Sequence, residues 1–224
     1  MRPQWFGGCL LIAMVVGPGQ TAAARQAPAG SAPAGRPQMR PAPPERVHLV
    51  IAPQGNEARY RVREQLASFD FPSDAVGSTQ NISGGILVGL DGKVVPDSSR
   101  FDIDLRTLVS NEPRRDRFLQ RNTLKTDSFP QVTFVPTAVT DLSRAPTSVP
   151  ASFQLAGNLT VRGVTRPATW DVTVKQAGQE VVGTASTSFA FGDFGLEVPK
   201  LAMLLSVKDT IHLEYDFHLV RAPS

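Results

Sequence analysis

Residues 153–174 read FQLAGNLTVRGVTRPATWDVTV, and the alternation within them decides the fold. Phe153, Leu155, Leu159 and Val161 lead into a Gly163-Val164-Thr165-Arg166-Pro167 turn, after which Ala168, Trp170, Val172 and Val174 alternate with polar residues. Successive side chains of a strand point to opposite faces, so this is a hairpin of two half-buried strands joined by a short connection.

The same period continues outward in both directions. Upstream, Val47, Leu49 and Ile51 alternate before Pro53 and Gly55 stop the run, and Ile82, Ile86 and Val88 flank Gly84-Gly85. Asp91-Gly92 then turns the chain into Lys93-Val94-Val95, and Phe101, Ile103 and Leu105 alternate with Asp102, Asp104 and Arg106. Downstream lie Ala185, Thr187, Phe189 and Phe191, and the clearest strand of all, in which Ile211, Leu213, Tyr215, Phe217 and Leu219 interleave with His212, Glu214, Asp216 and His218. One stretch departs from this period. Ser110-Asn111-Glu112-Pro113 carries capping residues, an acid and a proline at an early helical position, which predicts a short helix bearing Arg115, Asp116, Phe118 and Leu119. About eight strands, one short helix and no βαβ alternation give an all-β fold, an antiparallel barrel or sandwich.

The N-terminal part reads differently. Arg2, an apolar run from Cys9 to Val16 and small residues through Ala24 have the pattern of a secretory signal spanning 1–24, too short for a membrane anchor of about 20 apolar residues. Cys9 is the chain's one cysteine, so a mature protein without the signal has no disulfide, zinc thiolate or cysteine nucleophile. Residues 25–46 are rich in Pro and Ala, which predicts a disordered linker ahead of a domain over 47–221. The expected location is periplasmic or secreted. Of 23 Lys and Arg, five (Arg2, Arg25, Arg36, Arg40 and Arg46) precede the domain, as does Glu45 among 20 acids, which leaves 18 basic against 19 acidic groups. A domain so close to neutral has no net electrostatic drive toward nucleic acid. The linker arginines offer at most a weak contact with anionic headgroups, at about 1 kcal/mol each.

Several motifs occur in an ordered series: Arg115-Asp116 with Leu119, Phe129-Pro130 with Phe134, Gly157 through Thr165, and Asp193-Phe194-Gly195. In this series the chain resembles the YceI family from about Arg100 to Leu219. The resemblance implies a lipocalin-like barrel that holds a polyisoprenoid chain and has no known catalytic reaction, and it points to a homodimer as one candidate assembly. Two family positions differ here. Phe118 stands where the family carries a histidine, and Phe191 where it carries an arginine, while Tyr60–Phe71 lacks the family's histidine-serine pair.

Phe134, Phe153, Leu155, Trp170, Val172, Phe189, Phe191, Leu213, Tyr215 and Phe217 all occupy apolar faces and are expected to point inward. From the residues alone, a solid core and a ligand cavity both remain open; the resemblance favours the cavity, lined by these ten. A prenyl chain suits such a wall because burial contributes about 25 cal/mol per Å² of apolar surface. Arg115 and Arg117 are candidates to meet a quinone or phosphate head, and the competing role for Arg115 and Asp116 is an ion pair or cap holding the helix to the barrel.

The expectation is therefore a binding protein with no cofactor beyond its lipid, no metal and no catalytic residue. The competing readings are a filled barrel acting through a dimer or partner face, and an enzyme on a hydrophobic substrate. No nucleophile elbow, phosphate loop or paired-histidine helix is present. His212, Glu214, Asp216 and His218 are ligand types, but strand neighbours two residues apart stand about 7 Å from each other, so they read as a solvent-facing stripe. Asp102 and Asp104, flanked by Arg100 and Arg106, read as a charged exterior, His48 as a surface residue, and Asn81-Ile82-Ser83 and Asn158-Leu159-Thr160 as turn chemistry.

Overall fold

The structure, a computed structural model, describes residues 46–68, 70–89, 91–140, 150–176, 180–200 and 202–223. The signal and nearly all of the linker expected from the sequence lie outside the described residues. The strands are β1 (Arg46–Ile51), β2 (Glu57–Leu66), β3 (Ser73–Thr79), β4 (Ile82–Gly89), β5 (Arg100–Asp104), β6 (Val109–Ser110), β7 (Gln131–Thr140), β8 (Ala151–Val161), β9 (Val164–Gln176), β10 (Glu180–Phe189), β11 (Leu204–Val207) and β12 (Ile211–Arg221). A helix α1 (Pro113–Phe118) runs on into a π-helical turn over Leu119–Thr123.

These segments form eight antiparallel staves closed into a barrel. β12 pairs with β1 through Ile51↔Leu219 and with β2 through Glu57↔Asp216, so β1 and β2 are one stave interrupted at 52–56. β4 continues β3 in the same way, pairing with β1 while β3 pairs with β2. β6 extends the β5 stave along β3 after a turn at 105–107. The ring continues through β7, β8, β9 and β10 back to β12. Closure gives each stave a paired neighbour on both sides.

The hairpin that decided the fold is present, with a shorter turn than expected. Only Arg162 and Gly163 lie outside the strands, both with positive φ (48° and 77°), and Val164–Pro167 already belong to β9, paired with Asn158–Val161. A two-residue connection with both residues left-handed matches the twist of the flanking strands, so the alternation extends to the turn itself. On β12 the outward residues form a charge ladder. Glu214 meets Arg61 at 3.2 Å and Arg59 at 3.5 Å, and Asp216 meets Arg59 at 2.6 Å. These hydrogen bonds, that from Arg61 foremost, hold the Glu214 carboxyl below its ordinary range.

The core divides along the barrel axis. At the end where β8, β10 and β12 meet their 162–163 and 190–210 connections, Leu159, Val161, Ile211, Phe191, Phe194 and Leu196 are all buried. Farther along the axis several inward residues, Phe153, Leu155, Trp170 and Leu213 among them, are only half-buried although they face inside.

Candidate ligand cavity

A cavity of about 360 Å³ runs along the axis above the packed end. That volume lies within the roughly 300–1,000 Å³ of small-molecule sites. Phe134, Phe153, Leu155, Trp170 and Val172 line it from β7, β8 and β9, and Leu213, Tyr215 and Phe217 from β12. Trp170 stands opposite Leu155 across the strand pair and tilts against Phe134, ring centroids 5.7 Å apart.

Phe189 and Phe191, expected in the same lining, are elsewhere. Phe189 ends β10 on the inner face but below the cavity, its ring edge-on to Phe194 at 4.5 Å. Phe191 has left the strand: Phe191–Phe194 form a 3-10 turn closed by Gly195 at φ 64°, which swings Phe191 into the packed end at 4% exposure. The period of two ran through Phe191 in the sequence because nothing in alternation marks where a strand stops and a turn begins. The Phe191 N–H binds the Asp209 carboxylate at 3.0 Å, a partner eighteen residues away.

Other lining residues lie on strands whose alternation is legible but whose place around the ring is not. Leu49, Ile86 and Val88 face in from β1 and β4, Phe101 and Ile103 from β5, and Val181 and Ala185 from β10. Space for the rings comes from glycines on neighbouring strands. A Cβ at Gly157 would strike the Phe134 ring, and one at Gly183 would strike the Phe217 ring.

Few polar atoms border the cavity. Asn56, at the break between β1 and β2, was not foreseen from the sequence. It accepts from the Tyr215 hydroxyl at 2.8 Å and the His218 N–H at 2.9 Å, and donates to the Ala52 carbonyl at 2.9 Å. It ties the interrupted stave to β12 and satisfies Tyr215, whose phenol burial holds above its ordinary value. By contrast, the Tyr60 hydroxyl and the Trp170 indole N–H are buried without a hydrogen-bond partner among the described residues. The nearby Ser110 hydroxyl donates to Asp116 at 2.6 Å instead. Burial pushes the Tyr60 phenol up to about 12.

The head-group candidates lie on α1, beside Tyr60. Arg115 donates to Glu64 at 2.8 Å in a largely buried ion pair, and also to Asn111 at 3.1 Å. Asp116 accepts from the Ser110 backbone N–H and hydroxyl, so the Arg-Asp motif fastens the helix to β2 and β6. Arg117 is exposed. The Asp102 and Asp104 carboxylates pair with Arg100 at 2.6 Å and Arg106 at 2.7 Å. His218 contacts Glu180 at 3.2 Å.

A closed eight-stave barrel around an apolar axial cavity has relatives. The family model described as YceI-like domain matches residues 50–219. The chain belongs to the YceI-like family. A UPF0312 protein of Pseudomonas putida (strain GB-1) is 28% identical over 167 residues, covering 67% of this chain and 83% of the relative. Among solved structures, a polyisoprenoid binding domain from Saccharophagus degradans superimposes with a TM-score of 0.58 at 12% identity, covering 80% of this chain and all of that one. BcnA of Burkholderia cenocepacia gives 0.53 at 16% identity, covering 75% and 96%. At such identities the structural likeness concerns the fold. Within this YceI-like chain the two departures anticipated above have different surroundings. Phe191 is part of the packed end, whereas Phe118 is half-buried beside an outer recess with Lys125, Arg162 and Lys200.

Proposed function

We propose that this protein is an exported binding protein that holds the apolar chain of a polyisoprenoid in its barrel, as carrier or buffer. The apolar cavity of about 360 Å³ carries the reading. A wall of aromatic and aliphatic side chains gains on the order of 25 cal/mol for each Å² of ligand surface it removes from water, and selects by girth and length. The likeness to a polyisoprenoid binding domain supports the choice of ligand class, and export rests on the signal pattern of residues 1–24. Between the two head groups, the site favours a quinone over a phosphate. Arg115 is committed to Glu64, and an anionic head drawing on it would leave a buried carboxylate unpaired.

Mass spectrometry of organic extracts from the mature protein, purified without detergent from cells that export it, tests this. A stoichiometric prenyl lipid is expected, and it is lost in Ala185→Phe, which fills the cavity from β10 while the protein stays folded. Clean protein that also takes up no added prenyl quinone would overturn the proposal.

A further inference from the structure

Of the four large apolar side chains that stand exposed among the described residues, three gather at one end of the barrel. Phe71, 80% exposed, is in the β2–β3 connection; Met203 and Leu205, 53% and 65% exposed, adjoin it, where the Ala67 N–H binds the Met203 carbonyl at 2.9 Å. The fourth, Val109, 58% exposed, stands farther up the wall on β6, opposite Ser78. The same end carries a stripe of cations. Arg114, Arg117 and Arg121 recur at helical spacing along α1 and the π-helical turn, and Lys125 follows two residues beyond it; all four are exposed, and none has a side-chain ion pair among the described residues. Lys125 shares the outer recess with Lys200 and with Arg162, whose guanidinium donates to the Thr123 carbonyl at 3.2 Å. Carboxylates are present too, at Glu112, Asp127 and Glu197, but the helix stripe itself is uniformly basic on a domain close to neutral.

Exposed apolar side chains next to unpaired cations fit one kind of surface, an anionic bilayer, whose headgroups take the charges and whose interface takes the apolar tips. We propose that this end of the barrel docks on such a membrane, with Arg114, Arg117, Arg121 and Lys125 against the phosphates and Phe71, Met203 and Leu205 entering the interface. Met203 and Leu205 belong to the 190–210 connection, so the bilayer meets the packed end, while Leu105 and Leu108, in the segment leading to the helix, line the cavity on their inner side. The inference stands whether or not the cavity carries an isoprenoid.

Flotation of the purified protein, linker intact, with vesicles of phosphatidylcholine alone or of equal parts phosphatidylcholine and phosphatidylglycerol tests it. Binding is expected to the mixed vesicles only, and to weaken with salt. The triple variant Arg114→Glu, Arg117→Glu, Arg121→Glu is expected to lower it on the order of a hundredfold, and Phe71→Ser with Leu205→Ser about tenfold. The two variants alter different elements, and an unchanged thermal melt verifies each. Indifference to phosphatidylglycerol, full binding by both variants, or loss only when Arg25, Arg36 and Arg40 of the linker are replaced would each overturn the proposal.

Discussion

Around Phe194 and Ile211, side chains from β8, β12 and the 190–196 turn leave one another 1–8% exposed, whereas Phe153, Leu155 and Trp170 are only half covered and face a cavity. Both regions have the same strand alternation. They differ in what the connections contribute: at the first end a 3-10 turn delivers Phe191 and Phe194 onto the axis, and Leu196 follows, so loop residues complete what strand residues alone leave open. A barrel of eight strands is therefore filled or hollow according to its connections as much as its wall.

The largest expected effect sharpens that contrast directly. Phe194→Ala removes a ring packed on all sides and should cost about 3–5 kcal/mol in urea denaturation. Phe153→Ala, at a wall that already borders the cavity, forfeits fewer contacts and should cost roughly half as much in the lipid-free protein. Equal losses at the two positions would mean that the wall around Phe153 is as closely packed as the plug, and the distinction would fail.

Next in size is the ion pair that fastens the helix to the wall. Glu64 is 9% and Arg115 19% exposed at the side chain, so Arg115→Met strands a mostly buried carboxylate and should cost about 3 kcal/mol. Replacing both partners, Arg115→Met with Glu64→Leu, should recover most of that loss, because two apolar groups leave nothing unpaired. A double variant no more stable than Arg115→Met alone would show that the helix is held by other contacts and that the pair contributes little.

These contacts also mark where sequence reading succeeds and where it stops. The family, the barrel and the helix at Pro113 are legible because each has a local signature: period two, a capping sequence, an ordered run of motifs. Eight of the ten expected lining residues border the cavity for the same reason, since alternation on a closed sheet settles which face is inside. Height along the axis has no such signature. Phe189 and Phe191 continue the alternation of β10 yet fall into the packed end, Phe189 through the strand register that sets it opposite Ile211 and Phe191 through the 3-10 turn that follows. Long-range pairs are equally silent. Asn56 follows the proline and glycine that end the first alternating run, with nothing nearby to announce that it will serve Tyr215, 159 residues away. Glu64 likewise gives no local sign that its partner is Arg115.

The smallest effect concerns the two buried tyrosines, which the barrel treats unequally. Asn56 satisfies the Tyr215 hydroxyl, while that of Tyr60 has no partner among the described residues, and burial raises both phenols. In the unfolded chain each ionises near pH 10, so above that pH the unfolded state sheds protons that the folded state retains. Stability contributed by the neutral phenols is thus intact below pH 10 and falls as the pH climbs toward 12, by roughly 2–3 kcal/mol for Tyr60 alone. Thermal melts across pH 9 to 12 on the intact protein and on Tyr60→Phe should separate the two rings. At neutral pH Tyr60→Phe should be neutral or stabilising by up to about 1 kcal/mol, because it deletes an unpaired hydroxyl without changing the ring over Gly77. Above pH 10 it should lose stability less steeply than the parent, leaving the slope due to Tyr215. A variant destabilised at neutral pH would show that the hydroxyl has a partner in solution, and would place a polar contact at the helix end of the cavity.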